Sequence, residues 1–289
     1  MENITSRKNK IVCHLRTAAN DREYRCACQE YVCDGLKTLR EALNCGAQLG
    51  CVLWKEKAED MELPEGVAQY TAPAELFEYA SPLKSSGGPV FTVKMPKQEC
   101  DIKLERAIVL ENLQDPGNVG TVIRTANAFN IDAVILVGAC ADLYNPKTVR
   151  ASMGAIFRQR VLTMSIQELD ELTQQQALPL FGAALSDKAA DLRNVEIHRA
   201  AVAIGSEGRG LSKELLSICG GEIIIPMNPE SESLNAAVAA SVIMWEMSRS
   251  RRERRVCYRI LALAVNLGKA KPEGEGRSSE ALWRPRGNV

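Results

Sequence analysis

Three short stretches hold the residues whose types and spacing could do chemistry. In the first, Glu111 to Asn127 (ENLQDPGNVGTVIRTAN), the Asp115-Pro116-Gly117-Asn118 turn follows an apolar run, and Gly120 permits close packing where a helix begins. Arg124 follows Asn118 by six residues, close enough to share the first two turns of that helix. A lone arginine on a helix is more often a surface ion partner than a catalyst, but a place at a helix start on the carboxyl side of a sheet favours function. The second stretch, Ala203 to Ser212 (AIGSEGRGLS), sets glycines 205, 208 and 210 around Glu207, so its backbone can approach a ligand closely. Seen alone, it is equally a tight turn leading into a capped helix. In the third, Ile223-Ile224-Ile225 is a strand stopped by Pro226, a polar loop runs from Asn228 to Ser233, and a small-residue helix begins near Leu234. Ser231 or Ser233 is the expected cap of that helix. Ligands in open parallel sheets collect at such strand-to-helix crossings.

Several chemistries lose their support. The second stretch nearly fits the phosphate-loop pattern, but Leu211 stands where the lysine is required, and no dinucleotide-binding G-x-G-x-x-G occurs. An unrelated doubly wound nucleotide-binding enzyme is therefore disfavoured. The two histidines, His14 and His198, lie outside all three stretches, which disfavours histidine base catalysis and a His-rich metal site. Six of ten cysteines precede residue 52 (Cys13, Cys26, Cys28, Cys33, Cys45 and Cys51), yet none makes a C-x-x-C pair, so buried free thiols are expected and no metal. The opening MENITSRKNK has no apolar signal core, which predicts a reducing, cytoplasmic setting. No uncharged apolar run approaches the ~20 residues that span a bilayer. Residues 249–289 hold eleven Lys or Arg against four Glu, a net +7, and residues 1–248 hold 25 basic against 32 acidic, a net −7. Bulk charge therefore does not drive nucleic-acid binding, although a local basic surface could.

From Glu105 onward short apolar runs alternate with helical segments. The runs Ala107–Leu110, Ala133–Val137, Leu178–Ala184, Ala201–Ile204 and Glu222–Ile225 predict a parallel sheet covered on both faces. Residues 1–95 read as a small mixed domain with strands at Ile11–Leu15, Tyr31–Cys33 and Gly50–Trp54 and a helix over Gly35–Ala47. Its basic residues Arg7, Lys8, Lys10, Arg16, Arg22 and Arg25 are either a solvated face or a phosphate contact. The Ser85-Ser86-Gly87-Gly88-Pro89 punctuation and the polar Lys94–Asp101 connection place a boundary there, and residues 251–289 form an appended basic tail.

Taken in order, the three stretches resemble the motifs of the SpoU/TrmH family of RNA 2′-O-ribose methyltransferases: DPGNVGTVIRTANAF, IGSEGRGLS, and IPM followed by ESLNAAVAAS. KTVRASMGAIF, Lys147 to Phe157, is similar to the family's intervening segment, and the resemblance covers about 105–250. Residues 5–95 look like the small L30e-like α/β RNA-binding domain that precedes the catalytic domain in a large subgroup, with Cys33-Asp34-Gly35 where an acidic-Gly pair is more usual.

The resemblance implies a SPOUT-type methyltransferase domain over 105–250, a parallel sheet tied in a trefoil knot, after an RNA substrate-binding domain over 1–95. It implies S-adenosyl-L-methionine as cofactor, at Gly205, Ile225 and Leu234 with Met227, Ala184 and Leu185 as neighbours. It assigns catalysis to Asn118, Arg124, Glu207, Ser233 and Asn235. It further implies a homodimer, for which the helix Ala236–Ser241 suits close approach, and an RNA partner, ribosomal first and transfer RNA second. The other reading is a non-catalytic RNA-binding or assembly factor that has kept the fold.

Overall fold

The computed structural model describes residues 1–82, 87–96, 103–228 and 233–249. Two sheets organise them. The first has β1 (Glu2–Asn3), β2 (Glu30–Asp34), β3 (Leu49–Lys55), β4 (Ala68–Ala72) and β5 (Val90–Lys94), in the order β1-β4-β3-β5-β2. It is mixed, since β4 pairs in parallel with β1 and β3 while β5 pairs antiparallel with β2 and β3. Helices α1 (Lys10–Asn20), α2 (Arg22–Cys28), α3 (Leu36–Asn44) and α4 (Ala74–Ala80) connect these strands.

The second sheet has β6 (Arg106–Glu111), β7 (Ala133–Val137), β8 (Val161–Met164), β9 (Leu180–Ala183), β10 (Ala190–Asp191), β11 (Ala200–Ile204) and β12 (Gly221–Ile224). Every pairing is parallel, in the order β10-β12-β9-β11-β6-β7-β8. Helices α5 (Pro116–Ala128), α6 (Pro146–Ala151), α7 (Ile166–Gln175), α8 (Lys213–Ile218) and a last helix, α9, over 236–249 cover its faces. The central strands β6, β7 and β11 are buried along their whole length, which is why they read as unbroken apolar runs rather than alternating ones. Val122, Ile123, Ala240 and Met244 of α5 and α9 fill one face, and Leu169 of α7 with Leu215 of α8 fills the other.

The first turn of α5 follows from its sequence. Asp115 Oδ1 accepts from the Asn118 N–H, Pro116 occupies a position that needs no donor, and a Cβ at Gly120 would lie 2.5 Å from the Thr148 carbonyl of α6. Only glycine lets the two helices meet there.

Several expectations need correction. Ile11–Leu15 is helix, not strand: Val12, Leu15, Ala18 and Ala19 form one buried stripe at helical spacing, and Asn9 caps the helix. The cap of α9 is Asn235, whose Oδ1 accepts from Ala237 and Val238 N–H, rather than Ser233. Of the early cysteines only Cys33 and Cys51 are buried, while Cys13 and Cys26 are exposed. Arg25 belongs to no solvated face. It is buried, donates to the Ala18 carbonyl at 2.6 Å, and pairs with Asp142 of the second sheet's loops. The alternative cap Ser231, Ser85-Ser86, most of the Lys94–Asp101 connection and the 251–289 tail lie outside the described residues.

The Arg25–Asp142 pair lies in a seam between the sheets, where Tyr31 and Tyr144 pack with ring centroids 4.5 Å apart and Arg158 pairs with Glu41 at 2.8 Å. Removing one partner of a buried pair strands the other's charge. Arg25→Ala is therefore expected to lower stability by about 3 kcal/mol, read from urea unfolding monitored by tryptophan fluorescence. A midpoint unchanged from wild type would show that the seam does not depend on the pair.

Candidate functional site

Strand β11 delivers the chain at Ile204 into a loop that closes on itself. The Gly210 N–H donates to the Ser206 carbonyl at 2.8 Å, and Gly210 adopts φ +65°. Gly205 sits so close to the returning strand that an added Cβ would lie 2.0 Å from the Gly210 carbonyl carbon. The loop leaves through Ser212, which caps α8 by accepting from the Leu215 N–H and donates its own N–H to the buried Glu111 carboxylate at 2.7 Å. This holds the second motif to the end of β6, the start of the first.

Glu207, at the loop's tip, joins all three motifs. Its Oε1 accepts from Asn118 Nδ2 at 2.9 Å, from Asn235 Nδ2 at 2.6 Å and from the Ala236 N–H at 3.3 Å. Asn235 Nδ2 also donates to Asn118 Oδ1 at 3.2 Å. Asn235 thus caps α9 with its oxygen while its nitrogen turns to the carboxylate. The carboxylate in turn meets the first N–H of α9, that of Ala236, where the helix dipole favours negative charge.

The loop divides the carboxyl edge of the sheet in two. Over β9, β11 and β12 lies a cavity of about 400 Å³, with Gly205, Ile225, Leu234, Met227, Ala184 and Leu185 all in its lining. Ser233 and Glu207 stand at the same cavity. Over β11, β6 and β7 lies a second cavity of about 730 Å³ bounded by Asn112, Gln114, Asp115 and the loop 206–212. A third depression, about 420 Å³, runs between α5 and α9 past Asn118, Thr121, Phe129, Val238, Val242 and Trp245.

Arg124 stands apart. It is exposed on α5, one helical turn beyond Thr121, and lines none of these cavities. No described residue pairs with it. The structure therefore brings Asn118, Glu207, Ser233 and Asn235 to one place, and leaves Arg124 outside it. Glu111, Gln114 and Arg209 were not singled out by sequence reasoning. For Glu111 the signal was present, an acidic residue ending an otherwise apolar strand; for the other two there was none.

The described thiols of the second half, Cys140 and Cys219, are poor nucleophiles. Burial raises the Cys140 thiol pKa, and burial with nearby Glu222 and Glu111 pushes Cys219 up to about 11, so both stay protonated at neutral pH. No cluster of metal-ligating side chains occurs among the described residues. None of the described helices is long and apolar enough to cross a membrane.

Residues 105–245 match the SpoU rRNA Methylase family. The 23S rRNA (guanosine(2553)-2′-O)-methyltransferase RlmP of Bacillus subtilis is 26% identical over 86% of this chain and 99% of its own length. An uncharacterized tRNA/rRNA methyltransferase of Synechocystis, slr1673, is 31% identical over 85% of this chain and 93% of its own. Among solved structures, a TrmH-family protein from Porphyromonas gingivalis superposes with a TM-score of 0.74 at 28% identity, covering 83% of this chain and 97% of that one. The chain belongs to the SpoU/TrmH family of RNA methyltransferases.

Proposed function

We propose that this protein transfers the methyl group of S-adenosyl-L-methionine to a ribose 2′-hydroxyl of structured RNA, ribosomal RNA in the first place and transfer RNA in the second. The observation that carries the reading is the Glu207 carboxylate, hydrogen-bonded to Asn118 and Asn235 at the mouth of the apolar cavity. The cavity fits the cofactor. Ile225, Leu234, Met227 and Leu185 supply apolar walls, and the side-chain-free edge of Gly205 allows backbone approach.

Bound there, S-adenosylmethionine would supply an electrophilic methyl carried on a sulfonium. The chain's own residues do the rest. Asn118, Glu207 and Asn235 are fixed by one another, so an acceptor hydroxyl placed among them meets preset groups. Ser233 adds a hydroxyl at the same mouth. Glu207 Oε2 accepts from no described residue, which leaves it free to take the hydroxyl proton. A neighbouring phosphate is the other candidate acceptor. Arg124 suits a different task, since a guanidinium with a pKa above ~12 is a poor base but binds phosphate through two parallel hydrogen bonds.

The finer architecture belongs to the same reading. Residues 1–95 act as an L30e-like substrate-binding module and 105–250 as the catalytic domain, with the C-terminal segment threaded as a trefoil knot and the basic tail 251–289 appended. The protein works as a homodimer through α5 and α9, where Val238, Val242 and Trp245 are 48%, 37% and 47% exposed on adjoining turns and Phe129 meets Trp245. Contiguous apolar surface of this kind marks an interface. Arg124 borders that surface, so it reaches the partner's site. The eight described cysteines are all free, which agrees with a cytoplasmic setting.

Incubation with methyl-labelled S-adenosylmethionine and total RNA tests the function. The expected result is alkali-stable label at a ribose; absence of transfer to any RNA would favour the non-catalytic assembly factor.

A further inference from the structure

We propose that the segment 142–158 is a brace that locks the first sheet's half to α5, so that one RNA is held by two basic surfaces at a fixed separation, with Tyr144 and Arg158 as positioning residues for methyl transfer. The inference rests on the methyltransferase reading and concerns only how the two halves share the RNA.

The segment follows β7 in the chain, yet one side of it completes the core of the first half. Val149 and Ile156 are buried in the same apolar cluster as Tyr31, Leu39, Trp54 and Phe91. Halves that meet through a small polar surface move against each other, whereas a shared apolar core holds them. The contact falls on β2, an edge strand of the first sheet, where Tyr144 packs against Tyr31. Polar groups fix the register. Asp142 accepts from the Tyr144 N–H through Oδ1 at 3.1 Å and reaches across to Arg25 through Oδ2, while the Thr148 hydroxyl donates to the Asp142 carbonyl at 3.0 Å. At the far end Arg158 meets Glu41 of α3, and a Cβ at Gly154 would lie 3.0 Å from the Glu41 Cβ. The other side of the segment packs on α5, since a Cβ at Gly120 would lie 2.6 Å from the Ala151 Cβ and 3.0 Å from the Ser152 nitrogen. Helix α5 carries Asn118 to Glu207. The first half therefore cannot turn relative to the reacting groups without breaking a core.

Both ends of this rigid path are basic. No Asp or Glu occurs from Pro116 to Ile131 or from Leu143 to Gln167, although residues 1–248 are net acidic, and Arg124, Lys147 and Arg150 are exposed there. In the first half the Arg7 and Arg16 guanidinium groups lie 4.7 Å and 4.1 Å from the Tyr79 ring centroid, and Lys8, Lys10 and Arg22 are exposed beside them in sequence. Both surfaces suit phosphates. An RNA that touches one gains the other at high effective concentration only while their separation is fixed.

The test measures KM and kcat with the full-length protein, methyl-labelled S-adenosylmethionine and total RNA from cells lacking the protein. Tyr144→Ala, which removes the ring packed on Tyr31, is expected to raise the KM for RNA about tenfold. The kcat and the Kd for S-adenosylhomocysteine should change little, because the lost binding is common to ground and transition states. Tyr144→Phe keeps the ring and should keep the wild-type KM. Arg158→Glu sets like charges together and is expected to raise the KM about threefold; adding Glu41→Arg in the same chain should bring it back. That swap separates a brace from a direct phosphate contact by Arg158. An unchanged KM in Tyr144→Ala, or no recovery in the swapped pair, overturns this inference alone. Should Tyr144→Ala lose S-adenosylhomocysteine binding, and with it the fold, the Arg158 and Glu41 variants decide. Failure of the wild type to label any RNA overturns the transferase reading and this inference with it.

Discussion

Gly205→Ala is expected to weaken S-adenosylhomocysteine binding by about 100-fold or more, equivalent to ~2.7 kcal/mol, and to stop methyl transfer. The new methyl group would lie 2.0 Å and 2.1 Å from the Gly210 carbonyl carbon and oxygen and 2.4 Å from the Leu211 nitrogen. All three are backbone atoms of the returning loop, so no side chain can rotate away. The loop must open instead, breaking the Gly210-to-Ser206 hydrogen bond and moving Glu207 from its partners on α5 and α9. Gly208→Ala is the control, because a Cβ at Gly208 meets no atom within 4 Å. Titration calorimetry should separate the two, with Gly208→Ala near wild type. Binding by Gly205→Ala within threefold of wild type would mean that the loop's closure does not shape the cofactor's site, against the assignment proposed for it.

That contrast marks what a sequence can carry. The first two motifs were legible because each follows a strand buried along its whole length and carries glycines in the turn after it, and the third because Pro226 stops the run Ile223–Ile225. β7 falls on its expected bounds, and β6, β11 and β12 within about two residues of theirs. Their apolar runs have no polar alternation to confuse them. The run Ile11–Leu15 was ambiguous for the opposite reason: five residues of mixed character fit a strand or a helix turn, and the deciding partners Ala18 and Ala19 lie beyond it. Ser231 or Ser233 was expected as the cap, yet Asn235 takes that place, because an amide can accept from the helix and donate to Glu207 at once. Arg25 stood in a basic run that reads as solvated, and its partner Asp142 is 117 residues away. No local pattern announces such a pair. The residues that the resemblance implied for the cofactor line one apolar cavity, whereas Gln114 and Arg209 come together only when β6 and β11 are laid side by side.

Arg124→Ala is expected to slow methyl transfer by about 10²–10³-fold while leaving S-adenosylhomocysteine affinity unchanged, since Arg124 lines no part of the apolar cavity proposed for the cofactor. Its position also decides between two arrangements of the active site. Arg124 lies on the exposed face of α5 next to Thr121, which lines the apolar depression with Val238, Val242 and Trp245. In the two-fold dimer proposed above, joined by that depression, the guanidinium of one protomer would serve the Glu207 cluster of the other. Arg124→Ala and Gly205→Ala protomers, inactive separately, should then recover about a quarter of the wild-type rate after mixing and reassociation, because half the dimers are mixed and each has one intact site. If Arg124 served the site of its own protomer, every mixed dimer would pair a cavity without its arginine and an arginine without its cavity. The mixture would stay inactive, and the phosphate-binding role would have to be met within a single chain.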